Sequence, residues 1–367
     1  MFHGKISIKR VVLGAFAAAA VSLLLPSAAF AGVVEPSGYV GENSDRPHLD
    51  RVNIQNELDA TGSVTLKSGE TYYLRSTLHV SGNMTIEAEG ATIICKGGIA
   101  RNCDKEYYGA LNSLTIHGGT WKFVDTKGYT KSSFQFINAK NIKMSDMKIY
   151  CTNYEGHAIE LIGCKGVTID NCDIPAQGKP KKDSVEEMIQ MDVAAKETAP
   201  TIYQYHKNLI NGATCSNVTI TNCKIKGNRG VCANKNGDYY NKFHDKITIK
   251  NCEITGMSTE ALVLYNVKNF TVEKCKLITK KKSSTDNKSS GIHVGIYGSG
   301  KLGKFTIKNN TIKGYKQAVL VWSESGSRYK KGTITSNKLY ASKKKNTLYI
   351  WGVKKLSKKK NKNYKNK

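Results

Sequence analysis

Short runs of alternating apolar and polar residues, rich in β-branched side chains, recur along most of the chain. The unit V/I-T-I-x-N-C-x-I occupies residues 167–174, 218–225 and 247–254, with weaker copies at 270–277, 305–312 and 333–339. Residues 142–149 and 114–121 fit the same template, with Met147 and Gly119 at the cysteine position. Copies fall roughly 23–35 residues apart, except for a gap of 51 between Cys172 and Cys223. Such a period signals a solenoid rather than a globular set of distinct elements.

Each unit predicts two short strands around an asparagine corner. A third strand is expected at 158–162, 188–192, 230–234, 261–265, 291–295, 318–322 and 347–351. No helical periodicity separates these strands, so three per coil predict an all-β, right-handed parallel β-helix. The 51-residue gap then holds two coils. Stacking at ~4.8 Å aligns Cys172, Cys223, Cys252 and Cys275 in an interior ladder of small buried side chains. Asn171, Asn222 and Asn251 are expected to form a second interior ladder. The pairs Cys164/Cys215 and Cys95/Cys103 are near enough in the repeat for a disulfide, which spacing alone leaves open.

The opening differs from the rest. Residues 53–59 read as a short amphipathic helix, followed by Val64-Thr65-Leu66, Gly69 and Tyr72-Tyr73-Leu74. A helix over the open end of a solenoid blocks edge-to-edge aggregation. This segment resembles the start of pectin-lyase-like β-helix proteins, in which a capping helix precedes such a pair of strands. The resemblance covers roughly residues 45–352 and implies the fold; chemistry must come from the site.

Composition adds a compartment and a class of partner. Lys5, Lys9 and Arg10, an apolar run at 11–25 and Ala29-Phe30-Ala31 read as a secretory signal. The expected organisation is a signal peptide (1–31), a linker (32–50), the β-helix (51–352) and a lysine-rich tail (353–367). The product would be a secreted, extracellular monomer without a membrane span. A net charge of +27 favours polyanions, and export argues against nucleic acid. An acidic polysaccharide or an anionic cell-wall polymer is the expected partner, and the tail either extends into solvent or tethers the protein to an anionic surface. Ten cysteines without zinc spacing imply no structural metal.

Long insertions flank only the third strand, so its sheet should floor the functional groove. Alternation places Glu160, Gln190 and Asp192 outward, then Asn234, Tyr265, His293, Trp322 and Trp351. Glu160 and Asp192 lie one coil and two residues apart, roughly 8 Å, inside the ~6.5–9.5 Å of an inverting acid–base pair. Crowding should raise one of their pKa values. His157 would orient the carboxylates; Glu187, Gln190 and Arg229 would hold substrate, Arg229 through a substrate carboxylate. Asn234, Lys235, Tyr265, His293 and Trp322 complete the expected binding surface, with aromatic rings stacking on sugars. The other reading of the polar cluster is an ion-pair ladder supporting the insertion.

The pattern H-x-I-E at 157–160, E-x-I-Q-x-D at 187–192 and R-G at 229–230 is similar to a group of bacterial β-helix proteins. That group continues with a histidine where Ala233-Asn234-Lys235 stands here. The polygalacturonase motifs N-T-D, D-D and G-H-G are absent, as is the acidic calcium cluster of pectate lyases. The expected activity is cleavage of an acidic, uronate-type polysaccharide, by hydrolysis or by elimination. No cofactor is expected, except calcium for a lyase, whose base would be sought among Lys196, His206, Arg229 and Lys235. A non-catalytic glycan-binding protein is the alternative, and an epimerase a third.

Overall fold

The computed structural model describes residues 32–37, 49–124, 132–151, 157–175, 186–282 and 289–366. The expected signal sequence and most of the insertions at 175–187 and 280–290 lie outside the described residues. Three parallel sheets of 12, 11 and 10 strands run the length of the molecule. The chain is a right-handed parallel β-helix with three strands per rung.

One rung shows why the sequence folds this way. Lys165–Asp170 lies in the first sheet, Asp173–Pro175 in the second and Glu187–Asp192 in the third. The corner between the first two strands is Asn171, at φ 50°, and Asn222 and Asn251 repeat it at 56° and 55°. Asparagine tolerates this left-handed conformation better than most residues. The conformation turns the asparagine side chain out of the barrel. Asn171, Asn222 and Asn251 are exposed, which corrects the expected interior asparagine ladder. Asn251 instead donates to Asn222 Oδ1 at 3.2 Å along the outside.

The cysteine that follows each corner points inward. Cys172 N–H donates to Cys223 Sγ at 3.4 Å, and Cys252 N–H to Cys275 Sγ at 3.5 Å. Because Val167 pairs directly with Val218, the 51 residues from Cys172 to Cys223 make one rung with long insertions, which corrects the expected two coils. Beyond Cys275 the column changes residue type. Cys275 N–H donates to Asn310 Oδ1 at 2.8 Å, Asn310 N–H to Asn337 Oδ1 at 2.9 Å, and Asn337 N–H to Asn361 Oδ1 at 3.1 Å. Each side chain thus accepts a backbone N–H of the preceding corner, which burial would otherwise leave unpaired. All ten cysteines are free, Cys164/Cys215 and Cys95/Cys103 included.

The interior is filled by like residues in register, such as Val167, Val218, Ile247, Phe270 and Phe305. Phe270 and Phe305 stack with centroids 5.0 Å apart. The cap is longer than the expected helix and spans Leu49–Thr61. It buries Ile54 and Leu58 against the first rungs. Gln55 bonds both the N–H and the C=O of His79, and Asp50 accepts the N–H of Tyr73 at 2.8 Å.

Both ends of the solenoid reach further than the sequence suggests. Gly32–Val34 pairs with the strand beginning at Ser63. The lysine-rich residues after 352, expected to extend from the fold, instead form its last rung. Val353–Lys359 pairs with the first-sheet strand before it, and Lys362–Lys365 does the same in the second sheet. Backbone pairing and Leu356 suffice to dock this segment despite its charge.

The cysteine column yields a test. Cys275→Asn should unfold within about 1 kcal/mol of the wild type, because asparagine already serves this role one rung on, at Asn310. Cys275→Val keeps the volume but strands the N–H of Cys252, at a cost of about 1–3 kcal/mol. Guanidinium unfolding midpoints separate the two; equal midpoints for the valine variant and the wild type would refute the ladder.

Candidate functional site

The third sheet carries the site, and a break in its alternation shapes it. Two consecutive residues at the start of each strand point into the core: Ala158 and Ile159, Met188 and Ile189, Ala261 and Leu262. The first of each pair must be small or flexible. At Gly230 a Cβ would stand 2.2 Å from Ile254 Cγ2, so glycine alone fits. The residue before each pair therefore faces outward, and His157, Glu187, Arg229 and Glu260 form one column. Gln135, Glu160, Gln190, Cys232, Val263 and His293 form a parallel column.

The first column is an ion-pair ladder. His157 Nδ1 lies 2.9 Å from the Glu187 carbonyl and 3.7 Å from its carboxylate. Arg229 Nη1 donates to Glu187 Oε1 at 2.7 Å, while Nε and Nη2 donate to Glu260 Oε2 at 3.2 and 2.9 Å. Glu260 Oε1 lies 3.0 Å from His293 Nδ1, and the Tyr265 hydroxyl lies 3.3 Å from the same nitrogen. Glu187 and Arg229 are each 4 % exposed, and Glu260 is fully buried. Burial alone would raise the Glu260 carboxyl, but Arg229 and then His293 overcome it and hold it at about 2. Burial likewise lowers His157, yet the charges of Glu187 and Glu160 bring its net shift upward. Arg229, expected to meet a substrate carboxylate, is instead committed to Glu187 and Glu260.

Asp192 is compensated less: the hydrogen bond from Gln190 and the charge of His157 lower its carboxyl, but not enough to offset burial. It is fully buried, and Oδ1 has no hydrogen-bond partner among the described residues. Gln190 Nε2 donates to Oδ2. Burial first, and the charge of Glu160 second, push the Asp192 carboxyl up to about 8. It is therefore a neutral acid at pH 7. Glu160, 4 % exposed, accepts a hydrogen bond from Gln135 Nε2 at 2.7 Å. The register keeps Glu160 beside Gln190 and Ile162 beside Asp192, so the two carboxyl groups lie one rung and two residues apart.

The expected open groove is covered here. After Asp192 the chain forms a helix at Pro200–Tyr205 and a 3₁₀ turn at Lys207–Leu209. Ala194, Ala199 and Leu209 pack on Ile137 and Ile162, outer-face residues of the sheet. Asn138 Nδ2 donates to the Leu209 carbonyl at 2.7 Å, and Asn236 Nδ2 to Glu197 Oε2 at 2.9 Å, tying the flap down. His206 lies 3.2 Å from Glu106, and Lys196 Nζ 5.0 Å from the Tyr203 ring centroid, both within or beside this flap.

Partly exposed groups line the margin. Asn234 is half-buried, and its carbonyl accepts from His244 Nε2 at 2.7 Å. Lys235 Nζ lies 4.2 Å from the Tyr297 centroid, and Tyr297 packs edge-on against Tyr265 at 5.1 Å. Trp322 stands apart, several rungs on. It is exposed and packs against Trp351 and Tyr349, with centroids 5.1 and 6.4 Å away. Lys316, Gln317, Leu320, Lys345, Trp322 and Tyr349 line a recess of ≈ 460 Å³. Among the described residues, no group of three or more His, Cys, Asp or Glu is placed to hold a metal ion, and no helix is long and apolar enough to cross a membrane.

Sequence reasoning passed over Glu260, the hub between Arg229 and His293, and Gln135, the partner of Glu160. Aligning Glu260-Ala261-Leu262 with Arg229-Gly230-Val231 rung on rung would have placed a carboxylate beside the arginine.

Residues 239–350 match the family described as right handed beta helix region. No curated protein sequence matches the chain. Among solved structures, it is similar to PfbA, a surface adhesin of Streptococcus pneumoniae, at 16% identity and a TM-score of 0.57, over 91% of this chain and 93% of that one. It is also similar to the tailspike of E. coli bacteriophage HK620, solved with a hexasaccharide, at 14% identity and a TM-score of 0.50, over 86% of this chain and 56% of the tailspike. At these identities the likeness establishes the fold.

Two stability measurements probe the site. The folded protein keeps the Asp192 proton up to about pH 8, whereas the unfolded chain releases it near 3.9. Stability from this group is therefore lost as pH rises from about 4 to about 8. Asp192→Asn should match the wild type near pH 4 and melt increasingly above it towards pH 9; parallel curves would exclude the raised pKa. Glu260→Ala leaves Arg229 half-paired and should cost about 3–5 kcal/mol in denaturant unfolding.

Proposed function

We propose that this chain is an extracellular enzyme that hydrolyses glycosidic bonds of an acidic polysaccharide, with Asp192 as general acid and Glu160 as general base. The observation that carries this reading is the full burial of Asp192, whose Oδ1 has no partner among the described residues and whose carboxyl burial pushes up to about 8. Such a group costs stability, and an acid that must give its proton to a leaving oxygen near neutrality needs such a pKa. Glu160, one rung and two residues away, would take a proton from water as that water attacks the anomeric carbon. Asp192 would protonate the departing oxygen, and after the products leave Glu160 would release its proton to solvent while Asp192 takes one up. Elimination is less well served, because Arg229 is engaged by two carboxylates and does not neutralise a uronate.

Access requires the flap at 193–214 to lift, a step of the kind common in enzymes that exclude water. Lys235 and Tyr265 at the margin would meet the polymer first. Five rungs, about 24 Å, separate Glu160 from Trp322, whose exposed face suits a sugar ring further along the same chain. That the HK620 tailspike was solved in complex with a hexasaccharide is in keeping with this reading.

A second reading, a glycan-binding protein without turnover, is favoured by the burial of both carboxyl groups while the tryptophan ledge stays open. The adhesin role of PfbA is in keeping with it.

Polygalacturonate and alginate should be incubated with the protein while reducing ends and the ultraviolet absorbance of unsaturated uronates are followed together. The proposal expects reducing ends alone, and a fall of about 10²–10⁴-fold for Asp192→Asn. Unsaturated products would mean elimination, and binding without products would favour the second reading.

A further inference from the structure

The charge of this protein is confined to one end. Residues 274–367 contain 26 lysines and arginines and only two acidic residues, Asp286 and Glu324, a net +24 of the chain's +27. The rungs bearing the carboxylate site are close to neutral. Folding concentrates the C-terminal charge further, because the rungs stack lysine on lysine. Lys304 pairs with Lys331, and Lys331 with Lys355, in register on the outer face of the first sheet. Lys338 pairs with Lys362 in the second sheet. Lys304, Lys331 and Lys355 are exposed, and among the described residues no acidic side chain pairs with them.

Like charges directly opposite in a sheet are destabilising. The ladder of the third sheet avoids this by alternating sign, and Lys276 and Lys308 are paired with Glu253 and Glu273. The column of Lys304, Lys331 and Lys355 has no such relief among the described residues. Lys304, Lys330, Lys331 and Lys355, with Gly303 and Leu356, line a groove of ≈ 640 Å³. A second recess of ≈ 660 Å³ continues from Lys330, Lys354 and Lys355 round the corner to Arg328. The Arg328 guanidinium lies 6.0 Å from the Trp351 ring centroid, so the lysine groove and the tryptophan ledge meet at this corner.

We propose that the lysine columns of the last three rungs form a second binding site, for a linear anionic polysaccharide lying along the helix axis. Ammonium groups repeat about every 4.8 Å, which suits a chain bearing a carboxylate on successive sugars. Aromatic faces at the adjoining corner suit the apolar faces of pyranose rings. These rings, together with point-charge lysines in place of arginine forks, favour an acidic glycan over a nucleic acid. The site is separate from the Glu160 and Asp192 pair and stands or falls independently of it. It would hold the polymer while the neutral half of the molecule works on it.

The test uses the full chain with polygalacturonate as probe, and duplex DNA, poly(glycerol phosphate) and neutral dextran as comparators. Replacing Lys304, Lys331 and Lys355 together by glutamine should weaken polygalacturonate binding about tenfold or more, and binding should fall as salt rises from about 0.05 to about 0.5 M. Glu160→Gln with Asp192→Asn should bind as the wild type does, which separates this site from the proposed active site. In the absence of polymer, Lys331→Gln should raise the thermal midpoint at low salt and lose that advantage at high salt, a readout of repulsion within the column. Unchanged polygalacturonate binding by the triple variant would overturn the proposal. So would tighter wild-type binding of DNA or poly(glycerol phosphate) at equal charge concentration, or a lower midpoint for Lys331→Gln.

Discussion

Each rung of this protein is hydrogen-bonded to the rungs above and below it, and that stacking makes most side chains neighbours of their counterparts one repeat away. The fold therefore has to solve one column at a time. Apolar columns are simple, because like prefers like: valine, isoleucine and phenylalanine pile up in register, and Phe270 lies flat on Phe305. Polar columns need a donor facing an acceptor at every step. The inner corner column does this by letting each thiol or amide receive a backbone N–H, so cysteine can give way to asparagine at Asn310 without a change in geometry.

Charged columns make the constraint severe. On the third sheet the order Glu187, Arg229, Glu260 alternates sign, with His157 and His293 closing the ends. Desolvation is offset there by three hydrogen bonds to one guanidinium, a geometry in which buried ion pairs can hold. Two columns away Asp192 forms no ion pair among the described residues, and burial with the charge of Glu160 outweighs the charge of His157, so the protein keeps it neutral instead. The lysine columns at the far end have neither remedy and rely on solvent. These are three outcomes of one rule, and two of them mark the places where function is proposed.

The fold was legible because the repeat is long-lived and its period varies only in the loops. The third-strand assignments and the outward set Glu160, Gln190 and Asp192 followed from alternation. Other features escaped for physical reasons. The asparagine corner turned outward because a positive φ reverses the direction that simple stacking implies. The final rung was hidden by composition, since lysine-rich sequence reads as solvated and only Val353 and Leu356 hint at a core. The flap over Asp192 buries small residues, Ala194 and Ala199, which carry no periodic signal. Glu260 was missed because two consecutive core residues shift the phase of alternation at each strand's start. Which of these side chains the stacking brings together was thus largely readable, whereas their covering and their internal pairing were not.

The central claim is that stacking buries Asp192 near Glu160, with no ion pair to a cation among the described residues, and so holds its proton at neutral pH. Infrared difference spectra of the wild type against Asp192→Asn, taken across a pH titration, observe that proton directly. A carboxylic-acid C=O band present at pH 6 and lost with a midpoint near 8 is the predicted result. A carboxylate band already complete by about pH 5, as for an ordinary aspartate, would contradict it.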